Sequence, residues 1–144
     1  MMVTSYRALD HAKLVAIWER AVRATHTFLA EEDIVFYKSV VSEALSGMEV
    51  WEAVDSAGEP VGFMGLDGKN MEMLFVDADQ HGKGVGRMLV MHAIDLKGND
   101  LKVDVNEQNE GAAQFYNRMG FVQTGRSELD GSGNPFPILH LELK

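Results

Sequence analysis

From His81 to Val90 the chain reads HGKGVGRMLV, with glycines at alternate positions, Gly82, Gly84 and Gly86, and an apolar segment directly after. Glycines at this spacing let a backbone come close to something. No acid occurs from Gln80 to Ile94, whereas Lys83, Arg87, His81 and His92 all fall inside that window. Short charge-biased windows also arise by chance, but the glycines favour an anionic ligand here. The free N–H groups of a first helical turn, with the positive end of the helix dipole, suit a pyrophosphate. Two familiar phosphate patterns are excluded. The chain has no G-x-x-x-x-G-K-[ST] string, and G-x-G-x-x-G fails because Arg87 or Leu89 occupies its last place.

Other chemistry is narrowed by what is missing. There is no cysteine, which removes disulfides, thiolate metal sites and a cysteine nucleophile. No HExxH string or histidine pair at metal spacing occurs, so no metal is expected. The stretches LSGME and DGSGN both miss G-x-S-x-G. His11, His92 and His140 follow no pattern. By spacing alone, Tyr116 is a core aromatic beside Phe115 or Val122. Trp18 belongs to the inner face of its helix, and Trp51 to core or pocket.

These residues need elements to position them. Val3 to Leu9 suits a first strand. A helix over 12–23 follows, with Leu14, Ile17, Trp18, Ala21 and Val22 at helical spacing. THTFLAEED breaks that pattern, and its acids suit the start of a second helix, with Ile34, Tyr37, Val41, Ala44 and Leu45 inward and Gly47 at its end. Val50 to Val54, Val61 to Leu66 and Met71 to Val76 are strand-like runs separated by turn sequences, an antiparallel meander. The glycines open a helix from about Val85 to Leu96. Leu101, Val103 and Val105 alternate with polar residues, as in a half-buried strand. Asn109 suits the cap of a helix ending near RMG. Phe121 to Leu129 and Ile138 to Leu143 form a last hairpin. The order is β-α-α-β-β-β-α-β-α-β-β: an α/β class, α+β mixed sheet, parallel only at the glycine crossover and with helices on its faces.

The chain has 144 residues, 46% of them hydrophobic, which suits a single domain over 1–144 with one good core. No run is long enough to span a membrane and no signal-peptide layout opens the chain, so a soluble, cytoplasmic protein is expected. The net charge of −9 repels phosphate backbones and argues against nucleic acid as a partner.

The glycine turn and a second stretch together resemble the GNAT superfamily of acetyl-CoA-dependent N-acetyltransferases. HGKGVG, from His81 to Gly86, stands where that family carries [Arg/Gln]-x-x-Gly-x-[Gly/Ala]. NEGAAQFYNRMGF, from Asn109 to Phe121, matches its Asn-x-x-Ala-x-x-[Phe/Leu]-Tyr-x-x-x-Gly-Phe signature throughout. Two departures stand out: His81 in place of Arg or Gln, and Ala78 where proline is common. The resemblance covers nearly the whole chain. It implies one GNAT-like domain, acetyl-CoA as co-substrate, and direct acetyl transfer to an amine acceptor.

The same resemblance implies roles. Tyr116 would protonate the departing thiolate. A backbone N–H near Leu74 would stabilise the oxyanion, with Phe75 and Val76 along the pantetheine arm. Gly82, Lys83, Gly84, Val85, Gly86 and Arg87 would surround the pyrophosphate. Asn106 and Asn109 flank the second crossover, Asn109 as helix cap, cofactor contact or both. Two candidates stand for the general base: Glu72, on the strand beside the thioester, and His26, where the family forms its acceptor pocket. A sensor that binds acetyl-CoA or CoA without turnover is the alternative. The acceptor is not legible, and the assembly is a monomer or a homodimer.

Overall fold

A computed structural model describes residues 1–143. One seven-stranded sheet runs through them in the order β1-β2-β3-β4-β5-β7-β6. Its strands are β1 (Met2–Ser5), β2 (Glu49–Val54), β3 (Pro60–Asp67), β4 (Asn70–Val76), β5 (Lys102–Asn106), β6 (Phe121–Ser127) and β7 (Ile138–Leu143). The helices are α1 (His11–Thr25), α2 (Glu31–Ala44), α3 (Val85–Lys97) and α4 (Glu110–Arg118). None is long and apolar enough to cross a membrane.

The helices sort onto two faces, and so does the core. Leu14, Ile17, Trp18 and Val22 of α1 pack with Ile34 and Val41 of α2 against Phe63 and Met73. On the other face Val85, Leu89, Val90 and Ala93 of α3 join Tyr116, Met64, Met71, Val103 and Val105. Periodicity produces both layers: apolar positions at helical spacing on α1 and α3 meet alternating apolar positions on the strands. Trp18 is core, as its helix position requires. Trp51 is only half-buried; its ring lies 4.6 Å from His92 and its Nε1 donates to Glu49 at 2.8 Å.

Every strand pair is antiparallel except β4 with β5. That parallel pair is short: Asn70 faces Lys102 and Met71 faces Val103, and pairing stops. Beyond it β4 and β5 diverge, leaving the backbone of Glu72–Val76 without a partner on that side. An opening in the sheet at this point gives a ligand access to main-chain donors.

Two element boundaries and one strand placement differ from the expectation. The first strand ends at Ser5, and Ala8–Asp10 is a single 3-10 turn. The chain bends because the Arg7 N–H donates to the buried carboxylate of Glu52 at 2.7 Å and the Arg7 guanidinium pairs with Asp10 at 2.7 Å. The last two strands do pair as a hairpin, but β7 inserts between β5 and β6, so β6 is the edge. The second helix stops at Ala44, and Leu45 to Gly47 form the turn that closes it.

Candidate active site

A cavity of about 500 Å³ opens where β4 and β5 diverge. The end of β4, the glycine turn, the first turn of α3, one face of α4 and the end of α1 line it. Of the residues singled out from sequence, Leu74, Phe75, Val76, Gly82, Gly84, Val85, Gly86, Arg87, Asn109, Tyr116 and His26 are brought together there. Lys83, Asn106 and Glu72 are not among its lining residues.

The glycine turn has the geometry its spacing implies. Gly82 and Gly84 have φ of +81° and +80°, where a side chain is strained, and an added Cβ at either would meet nothing within 4 Å. Gly84 also caps α3 with no side-chain hydrogen bond to the helix. The first-turn N–H groups therefore face open space beside a cationic Arg87, a cradle for an anion. Gly86 serves packing instead: a Cβ there would stand 3.4 Å from the Phe115 ring. Arg20 of α1 holds Asp77, just past β4, through two hydrogen bonds of 2.9 and 2.7 Å, and that pairing keeps the Asp77 carboxyl below its usual range. The pair ties α1 to the segment that leads into the turn.

Tyr116 sits on α4 with its ring in the core, edge-on to Phe115 and Phe121 at 5.2 and 5.4 Å. Burial pushes its phenol well above the usual range, so it stays protonated at neutral pH. Its hydroxyl has no hydrogen-bond partner among the described residues, yet it is not sealed off in the interior. A buried ring with a free hydroxyl at a cavity wall is a donor waiting for an acceptor. Asn109 positions α4, accepting the Ala112 N–H at 3.2 Å. Asn106 is spent on its own turn, accepting the Gln108 N–H at 2.9 Å.

His26 follows the last residue of α1. Its Nδ1 lies 2.8 Å from Thr25 Oγ1, and that hydroxyl donates to the Ala21 carbonyl at 2.8 Å. A threonine has one proton to give. Having given it to Ala21, Thr25 accepts from Nδ1–H, so Nε2 carries the lone pair. Burial lowers the His26 pKa, which keeps the ring neutral.

Glu72 is displaced by the strand itself. Gly65 pairs with Met73 and Leu66 with Met71, so Glu72 is the extra residue of a bulge. Its carboxyl is raised, first by burial and then by Asp104 and Asp67. Sequence reading did not find Thr25, Gln80, Phe115 or Arg118, which also line the cavity. Arg118 lies two residues past Tyr116, inside the stretch already singled out, and its charge was the available signal.

Residues 22–137 match the family model described as an acetyltransferase (GNAT) domain. The chain is 49% identical over 129 residues to the peptidyl-lysine N-acetyltransferase YjaB of Salmonella typhimurium, covering 90% of this chain and 88% of that protein. It is 47% identical to the Escherichia coli protein of the same name, with 97% of each covered. The solution structure of apo YjaB from Escherichia coli superposes with a TM-score of 0.91 at 44% identity, covering 99% of this chain and 97% of that one.

Proposed function

This chain belongs to the GNAT acetyltransferase family and is an N-acetyltransferase, and we propose that it moves the acetyl group of acetyl-CoA to the side-chain amine of lysine in a protein or peptide. The relatives named for peptidyl-lysine acetylation, at 47 and 49% identity over most of both chains, carry the choice of acceptor. The single observation that carries the chemistry is the free, protonated Tyr116 hydroxyl on the wall of a cavity that begins at an anion cradle.

The lining of that cavity suits acetyl-CoA, with apolar residues beside a basic glycine turn. The N–H groups after Gly84, with Arg87, face the pyrophosphate, and the glycines leave it room. Lys83, exposed beside them, adds charge without a wall. The pantetheine arm runs along Phe75 and Val76, whose backbone groups β5 leaves unpaired on that side. The Leu74 N–H stands where the thioester carbonyl becomes an oxyanion.

Transfer is then direct. The neutral amine attacks the carbonyl carbon; a C–N bond forms and the C–S bond breaks. Tyr116 gives its proton to the leaving sulfur and recovers one from the attacking nitrogen. A thiol leaves more readily than a thiolate, so this proton transfer lowers the barrier. His26 accepts a hydrogen bond from the amine through Nε2. Glu72, crowded by Asp104 and Asp67, favours the approach of a cation such as the lysine ammonium.

Incubation with acetyl-CoA and a panel of lysine peptides, N-terminally blocked or free, and polyamines tests the reading. Mass spectrometry should place the acetyl group on the lysine side chain. Acetylation of polyamines or peptide N-termini alone would refute the acceptor and leave the family chemistry standing.

A further inference from the structure

Acids outnumber lysines and arginines in this chain, 22 to 13, so a cation without a carboxylate is the exception. Among the described residues every lysine and arginine forms an ion pair except Lys83, Arg87 and Arg118. Those three are gathered in one place. Arg87 and Arg118 line the cavity, and so do Gly82 and Gly84 on either side of Lys83. Lys83 and Arg87 belong to the glycine turn and the first turn of α3. Arg118 comes from a different element, and the transfer step described above does not use it.

Its place follows from helical spacing. Gly111, Phe115 and Arg118 line the cavity from α4 at positions i, i+4 and i+7, which share one face. Phe115 on that face abuts the first turn of α3 at Gly86. Beyond it, Arg87 Nη1 donates to Met119 Sδ at 3.8 Å, one residue from Arg118. Exposed guanidinium groups from α3 and α4 therefore stand on one rim of the cavity, and no carboxylate among the described residues is bonded to either. Like charges on one rim repel, and a bound anion offsets that repulsion.

We propose that Arg118 binds the 3′-phosphate on the ribose of CoA, so that the site distinguishes acetyl-CoA from its 3′-dephospho form. This rests on acetyl-CoA as the co-substrate and not on the identity of the acceptor. The first-turn N–H groups, Lys83 and Arg87 already face the pyrophosphate. The strong anion left on the cofactor is the 3′-phosphomonoester, with a charge of about −1.5 to −2 at pH 7. The ribose follows the pyrophosphate on the side away from the pantetheine arm, so its phosphate falls at the exposed rim and not in the depth of the cavity. A guanidinium there offers paired N–H donors in a planar fork that matches phosphate oxygens, and it keeps its charge throughout the working pH range.

Two features separate Arg118 from its neighbours. Lys83 lies inside the turn that faces the pyrophosphate, so it serves cofactors with and without the 3′-phosphate alike. Arg118 also ends α4, where a cation complements the helix dipole. That competing role affects the stability of the helix and not the choice of cofactor.

Calorimetric titrations with CoA and with 3′-dephospho-CoA test this without an acceptor. The wild type should bind CoA at least ~tenfold more tightly than the dephospho form, the worth of one charge-assisted contact. Arg118→Gln should bring the two affinities within about threefold of each other by weakening CoA alone. Its unchanged affinity for 3′-dephospho-CoA doubles as the check that the variant is folded. Lys83→Gln should weaken both ligands by the same factor. A wild type without preference, or equal weakening of both ligands in Arg118→Gln, would overturn the proposal. So would a selective loss shared by Lys83→Gln, the mark of a diffuse field in place of a contact. In each of those cases bound CoA leaves the cofactor reading standing, whereas a wild type that binds neither ligand would overturn both.

Discussion

Thr25 fixes the tautomer of His26. Its hydroxyl proton goes to the Ala21 carbonyl, and its oxygen receives Nδ1–H at 2.8 Å. Thr25→Val keeps the shape and removes that partner, leaving the imidazole free to rotate and change tautomer. The KM for the acceptor should rise roughly three- to tenfold, the worth of one hydrogen bond. The KM for acetyl-CoA should stay the same. Steady-state kinetics with each substrate varied in turn checks this, and an unchanged acceptor KM would remove His26 from the acceptor site.

Gly84 separates charge from strain. At φ +80° any side chain is strained, whatever the space, at a cost of about 1–3 kcal/mol. Gly84→Ala and Gly84→Glu share that cost, but only the second puts a carboxylate in the anion cradle. In calorimetric titrations Gly84→Glu should bind CoA at least ~tenfold more weakly than Gly84→Ala. Equal affinities would move the pyrophosphate elsewhere.

Glu52 should give the protein a stability profile that falls toward neutral pH. It is 0% exposed, and burial, reinforced by the neighbouring Asp10 carboxylate, raises its pKa from 4.5 to about 7 against the Arg7 N–H that lowers it. A raised carboxyl favours the folded state while both states hold the proton. Its contribution is full below pH 4.5 and is lost as pH rises through about 7. Glu52→Gln retains an acceptor for Arg7 and offers a donor to Asp10. Its melting temperature should be flatter than wild type between those limits. Parallel wild-type and variant profiles would show that Glu52 does not titrate in this range.

How much of this was legible depended on how local the cause was. The glycine turn and the Asn109 cap are short-range features, and both stand where the sequence implied them. The two-faced core followed from periodicity. The bulge at Glu72 did not, because Met71, Met73, Leu74, Phe75 and Val76 are all apolar and such a run shows no alternation to break; the structure shows the break, with Met71 packed on one face and Met73 on the other. The same limit hid the insertion of β7 beside β5, which brings His140 to Asp104 across 36 residues. Arg118 and Phe115 were missed because cavity lining depends on which side of α4 faces the opening.

Tyr116→Phe tests most directly whether Tyr116 protonates the leaving thiolate. The hydroxyl bonds no described residue, so removing it leaves the packing against Phe115 and Phe121 in place. Turnover on the lysine peptide, measured with saturating acetyl-CoA, should fall by roughly ten- to a thousandfold. Acetyl-CoA affinity should change by less than about threefold, because the bond is made in the transition state. Wild-type turnover in the variant would contradict the assignment.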